Sequence, residues 1–192
     1  MGSKPLTLGF DTSAAHCAAA LLSGSRVLAC RAEEMGRGQA ERLMPLLEEV
    51  LAEGGVRWRD LDRIGVGIGP GNFTGIRISV AAARGLALSL EISAIGINTF
   101  EVIHAAASSG TPAVPAPRGM AHVLGPGAVP ALIPAADVVD PAWPPSPADM
   151  AQTIAMLAQS APVGAPSPAP LYIRPADAAP ARGVPPAILD DA

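Results

Sequence analysis

Two short stretches carry the residues that could do chemistry. The first is Gly65-Val-Gly-Ile-Gly-Pro-Gly-Asn-Phe-Thr-Gly-Ile-Arg-Ile-Ser79. Glycine tolerates positive φ and close backbone approach, and proline fixes a turn, so a strand, a tight turn and a helix N-terminus are written in fifteen residues. Such a junction aims several backbone N–H groups one way, which suits an anion or a closely packed neighbour. Both standard phosphate motifs fail. Gly67-Ile-Gly69 needs a glycine at 72, which is Asn, and a start at Gly69 needs a glycine at 74, which is Thr. A P-loop needs Gly-Lys-Ser/Thr, and the only lysine in the chain is Lys4.

The second stretch is Asp11-Thr12-Ser13, at the end of the first apolar run. A carboxylate and two hydroxyls there could hold the metal–phosphate group of a nucleotide, but such sites recruit further ligands and donors. The alternative is an Asx-type turn that closes the strand. His16, His104 and His122 lie too far apart in sequence for a two-histidine helix face, and they form no recognisable Ser/His/Asp set. Arg77 falls in a first helical turn, where a cation opposes the helix dipole. It implies either an acidic partner, Asp11 or a ligand, or a solvated side chain. With Ser23-Gly24 as a two-residue hairpin turn, Cys17 and Cys30 face each other across two strands, where reduced and partly buried thiols are the expected state.

The elements that must position these residues follow from periodicity. Leu6–Phe10, His16–Leu22 and Arg26–Ala32 read as an antiparallel meander of three strands. Gln39–Glu53 repeats apolar residues at helical spacing, with Pro45 expected to delay or kink its first turn. Arg63–Ile68 reads as a strand, Thr74–Leu90 as a helix, Ser93–Ile97 as a strand, and Thr99 can cap a short helix to about Ser108. This order gives a mixed sheet flanked by helices, the order of the ribonuclease H-like fold and of actin-like ATPases.

After residue 109 the composition breaks. Eighteen of the 21 prolines lie there, and no lysine or glutamate follows Glu101. The expected division is an N-terminal domain over 1–109 and a reduced, largely irregular C-terminal region over 110–192. Pro147–Gln159 stands out as a helix and Leu171–Arg174 as a strand. The whole chain has 192 residues, is 49% hydrophobic and carries a net charge of −4, so no basic field draws it to nucleic acid or anionic lipid. No apolar run reads as a bilayer span, and Asp11 interrupts the first apolar run before it can read as a signal peptide. A cytoplasmic protein is expected.

Gly67-Ile-Gly-Pro-Gly-Asn-Phe-Thr-Gly-Ile-Arg-Ile-Ser79 and Arg84-Gly-Leu-Ala-Leu88 closely resemble a signature of the TsaB (YeaZ) family. Asp11-Thr-Ser13, Arg42-Leu-Met-Pro-Leu46 and Pro170-Leu-Tyr-Ile-Arg-Pro-Ala-Asp177 add to the resemblance. It implies an actin-like ATPase (ASKHA) fold with a shortened second domain. It also implies a role in forming threonylcarbamoyladenosine beside the anticodon of tRNA. In that family TsaB is not the catalyst. It pairs with the metal-bearing paralogue TsaD, works with the ATPase TsaE, reaches tRNA through the complex, and forms homodimers through overlapping surfaces.

On this resemblance no residue is assigned to catalysis or to a metal, and no cofactor is assigned to the chain alone. Asp11, Thr12 and Ser13 are a vestigial phosphate site, and ATP or ADP with magnesium belongs at most at the complex interface. Leu43, Met44 and Leu47 on the first helix and Ile76, Val80 and Ala83 on the second are expected to divide between sheet and partner. Gly69, Pro70, Gly71, Asn72, Phe73, Thr74, Gly75 and Arg77 form a junction that sets the entry of the second helix, so that its small-residue face meets another helix. Two departures stand out: Thr111-Pro-Ala-Val-Pro-Ala-Pro-Arg118 replaces the strand that opens a full second domain, and Gln39 stands where many relatives carry histidine. The rival reading is an autonomous ATPase or phosphotransferase using Asp11.

Overall fold

Alternating apolar residues build the first sheet, and a computed structural model of the protein describes it within residues 4–107, 109–124, 129–162 and 164–173. Strands β1 (Leu6–Asp11), β2 (His16–Ser23) and β3 (Arg26–Glu34) form the meander. Helix α1 (Gln39–Glu53), β4 (Arg63–Gly67), α2 (Phe73–Leu90), β5 (Ser93–Ile97) and α3 (Thr99–Ala106) follow. The sheet order is β3-β2-β1-β4-β5, with β2 antiparallel to both neighbours and β4 parallel to β1 and β5. This is the ribonuclease H-like arrangement of the actin-like ATPase fold. The strand ends β1 and β4 therefore bring Asp11 and the glycine-rich junction together.

The two faces of this sheet differ in side-chain size. Leu8, Phe10, Leu21, Ile64 and Val66 pack with Leu43, Leu46, Leu47 and Val50 of α1 and with Ala83 of α2 in one buried cluster. The opposite face is nearly flat at its centre, made by Gly9, Ala18, Ala20 and Gly65, and toward β5 Ile95 and Ile97 rise from it. Helix α4 (Pro147–Ser160) lies on it, so closely that a Cβ at Gly9 would stand 2.6 Å from the Ala151 carbonyl oxygen and the Ala155 nitrogen. Ser146 caps α4 by accepting from the Asp149 N–H at 3.2 Å, with Pro147 in the first turn. At the far end, Arg63 Nη1 donates to the carbonyls of Ala158, Gln159 and Ala161 at 2.9, 3.1 and 2.7 Å. A β-strand arginine thus satisfies the orphan carbonyls of a helix from the other side of the composition break.

The expectation of a largely irregular region after residue 109 is overturned. Strands β6 (Thr111–Ala116), β7 (Met120–Leu124), β8 (Pro130–Pro134) and β9 (Pro141–Ala142) form a second sheet in the order β8-β7-β6-β9. The prolines are tolerated because β9 covers β6 only at Thr111 and Pro112, which leaves β6 an edge strand beyond them. Ala113, Ala121, Val123 and Val138 give this sheet a small buried cluster of its own. Leu171–Ile173 forms no strand, although the Leu171 N–H donates to the Ile68 carbonyl at 2.8 Å. Ser108 and residues 174–192, with Arg174 and the end of the Pro170–Asp177 segment, lie outside the described residues.

Three local readings are also corrected. The hairpin turn is Gly24-Ser25 and the register shifts at Leu21/Leu22, so Cys30 pairs with Ala20 and Cys17 with Glu33, and the thiols lie on opposite faces. Helix α1 starts at Gln39 and runs through Pro45. The cap of α3 is Asn98, whose Oδ1 accepts from Glu101 N–H at 2.9 Å, while Thr99 Oγ1 donates to the Pro70 carbonyl at 3.1 Å. Among the described residues α2 alone has the length and mean hydropathy of a bilayer span, where no such run was expected. Its apolar character has a local use, since Gly75, Ile76, Ser79, Val80 and Ala83 are buried.

Candidate functional site

Asp11 ends β1 and is 1% exposed. Its Oδ2 accepts three hydrogen bonds: from Ser13 N–H at 3.0 Å, from Ser13 Oγ at 2.9 Å, and from the His16 ring at Nε2, 2.7 Å away. The first of these closes an Asx turn. His16, placed by the first residue of β2, is itself buried. In sequence this histidine falls in no metal pair and no Ser/His/Asp set. The only sequence signal for its role was its position five residues beyond Asp11, across a turn that folds the chain back.

The glycine-rich junction packs against this same turn. Thr12 Oγ1 donates to the Gly75 carbonyl at 2.7 Å, and Asn72 N–H donates to the Ser13 carbonyl at 2.6 Å. A Cβ at Gly71 or Gly75 would collide with the Ser13 or Thr12 carbonyl. Asn72 caps α2, its Oδ1 accepting from Gly75 N–H at 2.9 Å, and Ser79 Oγ donates to the Gly67 carbonyl at 3.1 Å. Thr99 N–H donates to the Gly69 carbonyl at 2.8 Å, where Gly69 holds φ +92°. The neighbour that the junction serves is the chain's own Asp11–Ser13 turn. Of the small residues on α2, Gly75 and Ser79 are buried against this turn and β4, while Gly85 stays exposed.

Arg77 has no acidic partner among the described residues, and its exposed side chain lies against an aromatic pair. Its Nε donates to Tyr172 Oη at 2.8 Å, and its guanidinium lies 3.9 Å from the centroid of Phe73. The Phe73 and Tyr172 rings are 5.0 Å apart, so a cation–π cluster ties the start of α2 to the segment after α4.

A cleft of about 1010 Å³ opens between the Asp11–His16 turn, the junction and the second sheet. Ser13, His16, Gln39, Asn72, Thr99, His122 and Tyr172 supply its polar groups, and no Lys, Arg, Asp or Glu stands among the described lining residues. This donor set does not suit a magnesium–nucleotide. The one oxygen of Asp11 that carries its hydrogen bonds already has three donors, the Asn72 and Gly75 N–H groups have internal acceptors, and no cation stands among the described lining residues. A magnesium–nucleotide centred on Asp11 would have to draw its remaining ligands from outside this lining. His104 is exposed and remote from the cleft lining, and the described residues hold no group of three or more potential metal ligands.

The six helix residues expected to divide between sheet and partner differ in burial. Leu43, Leu47, Ile76, Val80 and Ala83 are 0–4% exposed and belong to the protein's own core. Only Met44, at 37%, faces outward. The outer faces of α1 and α2 instead present Met44, Pro45, Ala81, Gly85 and Leu88.

Comparison with known proteins places this arrangement. Residues 32–137, more than half of the chain, match the family described as "TsaD: tRNA N6-adenosine threonylcarbamoyltransferase". The chain is 36% identical over 92 residues to the tRNA threonylcarbamoyladenosine biosynthesis protein TsaB of Escherichia coli, covering 48% of this chain and 39% of that protein. The TsaB protein of Buchnera aphidicola is 34% identical over 98 residues, with 51% and 46% covered. The chain thus spans less than half the length of these curated relatives. The solved structure of YeaZ from Pseudomonas aeruginosa superposes with a TM-score of 0.61 at 28% identity, over 70% of each chain.

Proposed function

Because this chain belongs to the TsaB (YeaZ) family, we propose that it supports threonylcarbamoyladenosine formation on tRNA as a non-catalytic helper subunit. In this reading it docks on a TsaD-type catalytic paralogue, works beside a TsaE-type ATPase, and reaches tRNA only through that complex, in the cytoplasm. A homodimer forms through the same surface when the paralogue is absent. The observation that carries the reading is the outer face of the α1–α2 pair. Leu88 is 83% exposed, and with Met44, Pro45, Ala81 and Gly85 it gives the outer sides of the two helices an apolar and small-residue character that suits close helix packing. Glu41, Glu48, Arg77 and Arg84 stand exposed around it, the arrangement of an apolar centre with a polar rim. Any ATP or ADP at the joint would depend on charged groups of the partner, given that the described residues lining this chain's own cleft are uncharged.

Co-purification with the cognate TsaD-type subunit tests the proposal. A complex is expected at micromolar concentration, weakened at least about tenfold by Leu88→Glu, since a buried unpaired charge costs more than the 1.4 kcal/mol that a factor of ten represents. Val80→Glu should instead unfold the chain. Absence of any complex, or a complex indifferent to Leu88→Glu, would overturn this reading.

A further inference from the structure

Three of the large apolar side chains left exposed converge on the cleft: Phe73, Trp143 and Tyr172, at 39%, 41% and 39%. Prolines from separate segments, among them Pro70, Pro115 and Pro144, complete its walls. A charged ligand entering here would shed hydration without meeting a counter-charge among the described residues. Aromatic and proline walls hold an uncharged planar body instead, since they offer area and no polar atoms to desolvate.

The floor adds one directional group. His16 is 5% exposed and lines the cleft. Its Nε2 faces a carboxylate that accepts, so in the neutral imidazole Nε2 carries the hydrogen and Nδ1 is the acceptor. Asp11 cannot turn away, because Ser13 holds the same oxygen through both its N–H and its Oγ. The ring is therefore held in one orientation and, in its neutral form, in one tautomer.

We propose that this cleft binds an uncharged, planar heteroaromatic ligand that donates one N–H to Nδ1 of His16, with Trp143 and Tyr172 against its apolar surface. The site is independent of helix pairing, for none of Met44, Pro45, Ala81, Gly85 and Leu88 lines it. Its failure and the failure of the helper-subunit reading are separate results.

The test is a ligand-observed NMR titration of the full chain with 2-quinolinone, a neutral planar lactam with a single N–H. Saturable binding is expected with a Kd of about 0.1–1 mM, in keeping with a ligand of about eleven non-hydrogen atoms. N-methyl-2-quinolinone, which lacks the donor, should bind about five- to tenfold more weakly. Trp143→Ala should weaken 2-quinolinone by about tenfold. Tyr172→Leu replaces it as the test variant if Trp143→Ala lowers the thermal midpoint of the fold. Magnesium–ATP at millimolar concentration should not displace the probe. Absence of saturation, equal affinity for the N-methyl compound, indifference to the aromatic substitution, or displacement by magnesium–ATP would each overturn the proposal.

Discussion

The two faces of the first sheet solve the same packing problem in opposite ways. Toward α1 and α2 the strands present Leu8, Phe10, Leu21 and Ile64, and the contact is an interdigitated layer of large side chains. Toward α4 the central strands present Gly9, Ala18, Ala20 and Gly65, and there the helix backbone comes down onto them almost without side chains between, while Ile95 and Ile97 fill the β5 side. Removing atoms should damage the first face, and adding atoms the second. The difference also explains how a segment of proline- and alanine-rich composition joins the core. Its alanines are the residues that a close helix-on-sheet contact needs.

The largest expected effect comes from emptying the bulky face. Phe10→Ala should lower the unfolding free energy by about 3–5 kcal/mol in urea titrations. A loss below about 1 kcal/mol would mean that α1 collapses freely onto the vacancy. Filling the flat face comes next: Gly9→Val should cost about 2–3 kcal/mol, since its Cβ alone reaches the α4 backbone. If Gly9→Val is neutral while Phe10→Ala is not, α4 does not sit on β1 in solution.

The cysteines sharpen the contrast at smaller scale. Cys17 lies in the bulky cluster, and burial pushes its thiol up to about 11, with Glu33 adding to the effect. Cys30, beside Ala148 and Gln152 of α4, is also raised by burial but stays partly accessible. In the folded protein at pH 8 a thiol reagent should label Cys30 slowly and Cys17 only after unfolding. Because the folded pKa of Cys17 is raised, its contribution to stability is complete below the unfolded thiol pKa of about 8.5 and is lost as pH rises toward the folded value. Equal labelling of both thiols would place them on one face after all.

The smallest effect belongs to the rim of the bulky face. Arg42 donates to Glu33 at 2.6 and 2.8 Å and to Glu49 at 2.8 Å, and these hydrogen bonds hold both carboxyls below their usual range. Depressed folded-state values mean that the stabilisation is present above the unfolded pKa of about 4.3 and is lost as pH falls through the folded values. A shallow decline of the urea midpoint between neutral and acid pH should therefore flatten in Arg42→Gln. Solvent screening keeps this effect small. A variant as acid-sensitive as the parent would show that the pairs contribute nothing.

Much of the fold was legible because helical and strand periods report burial one residue at a time. The helices at Gln39–Glu53 and Pro147–Ser160 and the strand at Arg63–Gly67 needed only that signal. The second sheet was hidden by the propensity argument against proline, which fails at an edge strand such as β6, where one side of the backbone has no ladder to lose. The partner residues were hidden for another reason. The apolar stripe of a helix tells how much of it is buried, not whether the neighbour is its own sheet, so Leu47 and Val80 read the same either way. Arg77 illustrates the third gap, since its aromatic partner Tyr172 is 95 residues away.

By itself, the sequence determined the order of the elements, the turn chemistry at Asp11–Ser13 and the junction at Gly69–Gly75, because these depend on local φ/ψ preference and periodicity. It also determined that the junction lacks both phosphate motifs, since those are statements about residue types at fixed spacing. Only the tertiary structure decided what the junction faces. Whether its N–H groups meet an anion or a neighbour depends on the parallel pairing of β1 with β4, which sets Thr12 against Gly75 and leaves no room for a ligand between them. The same long-range pairing decided that Asp11 belongs to His16, that α4 lies on glycine, and that the open space falls beside the turn, in a cleft walled by aromatic rings.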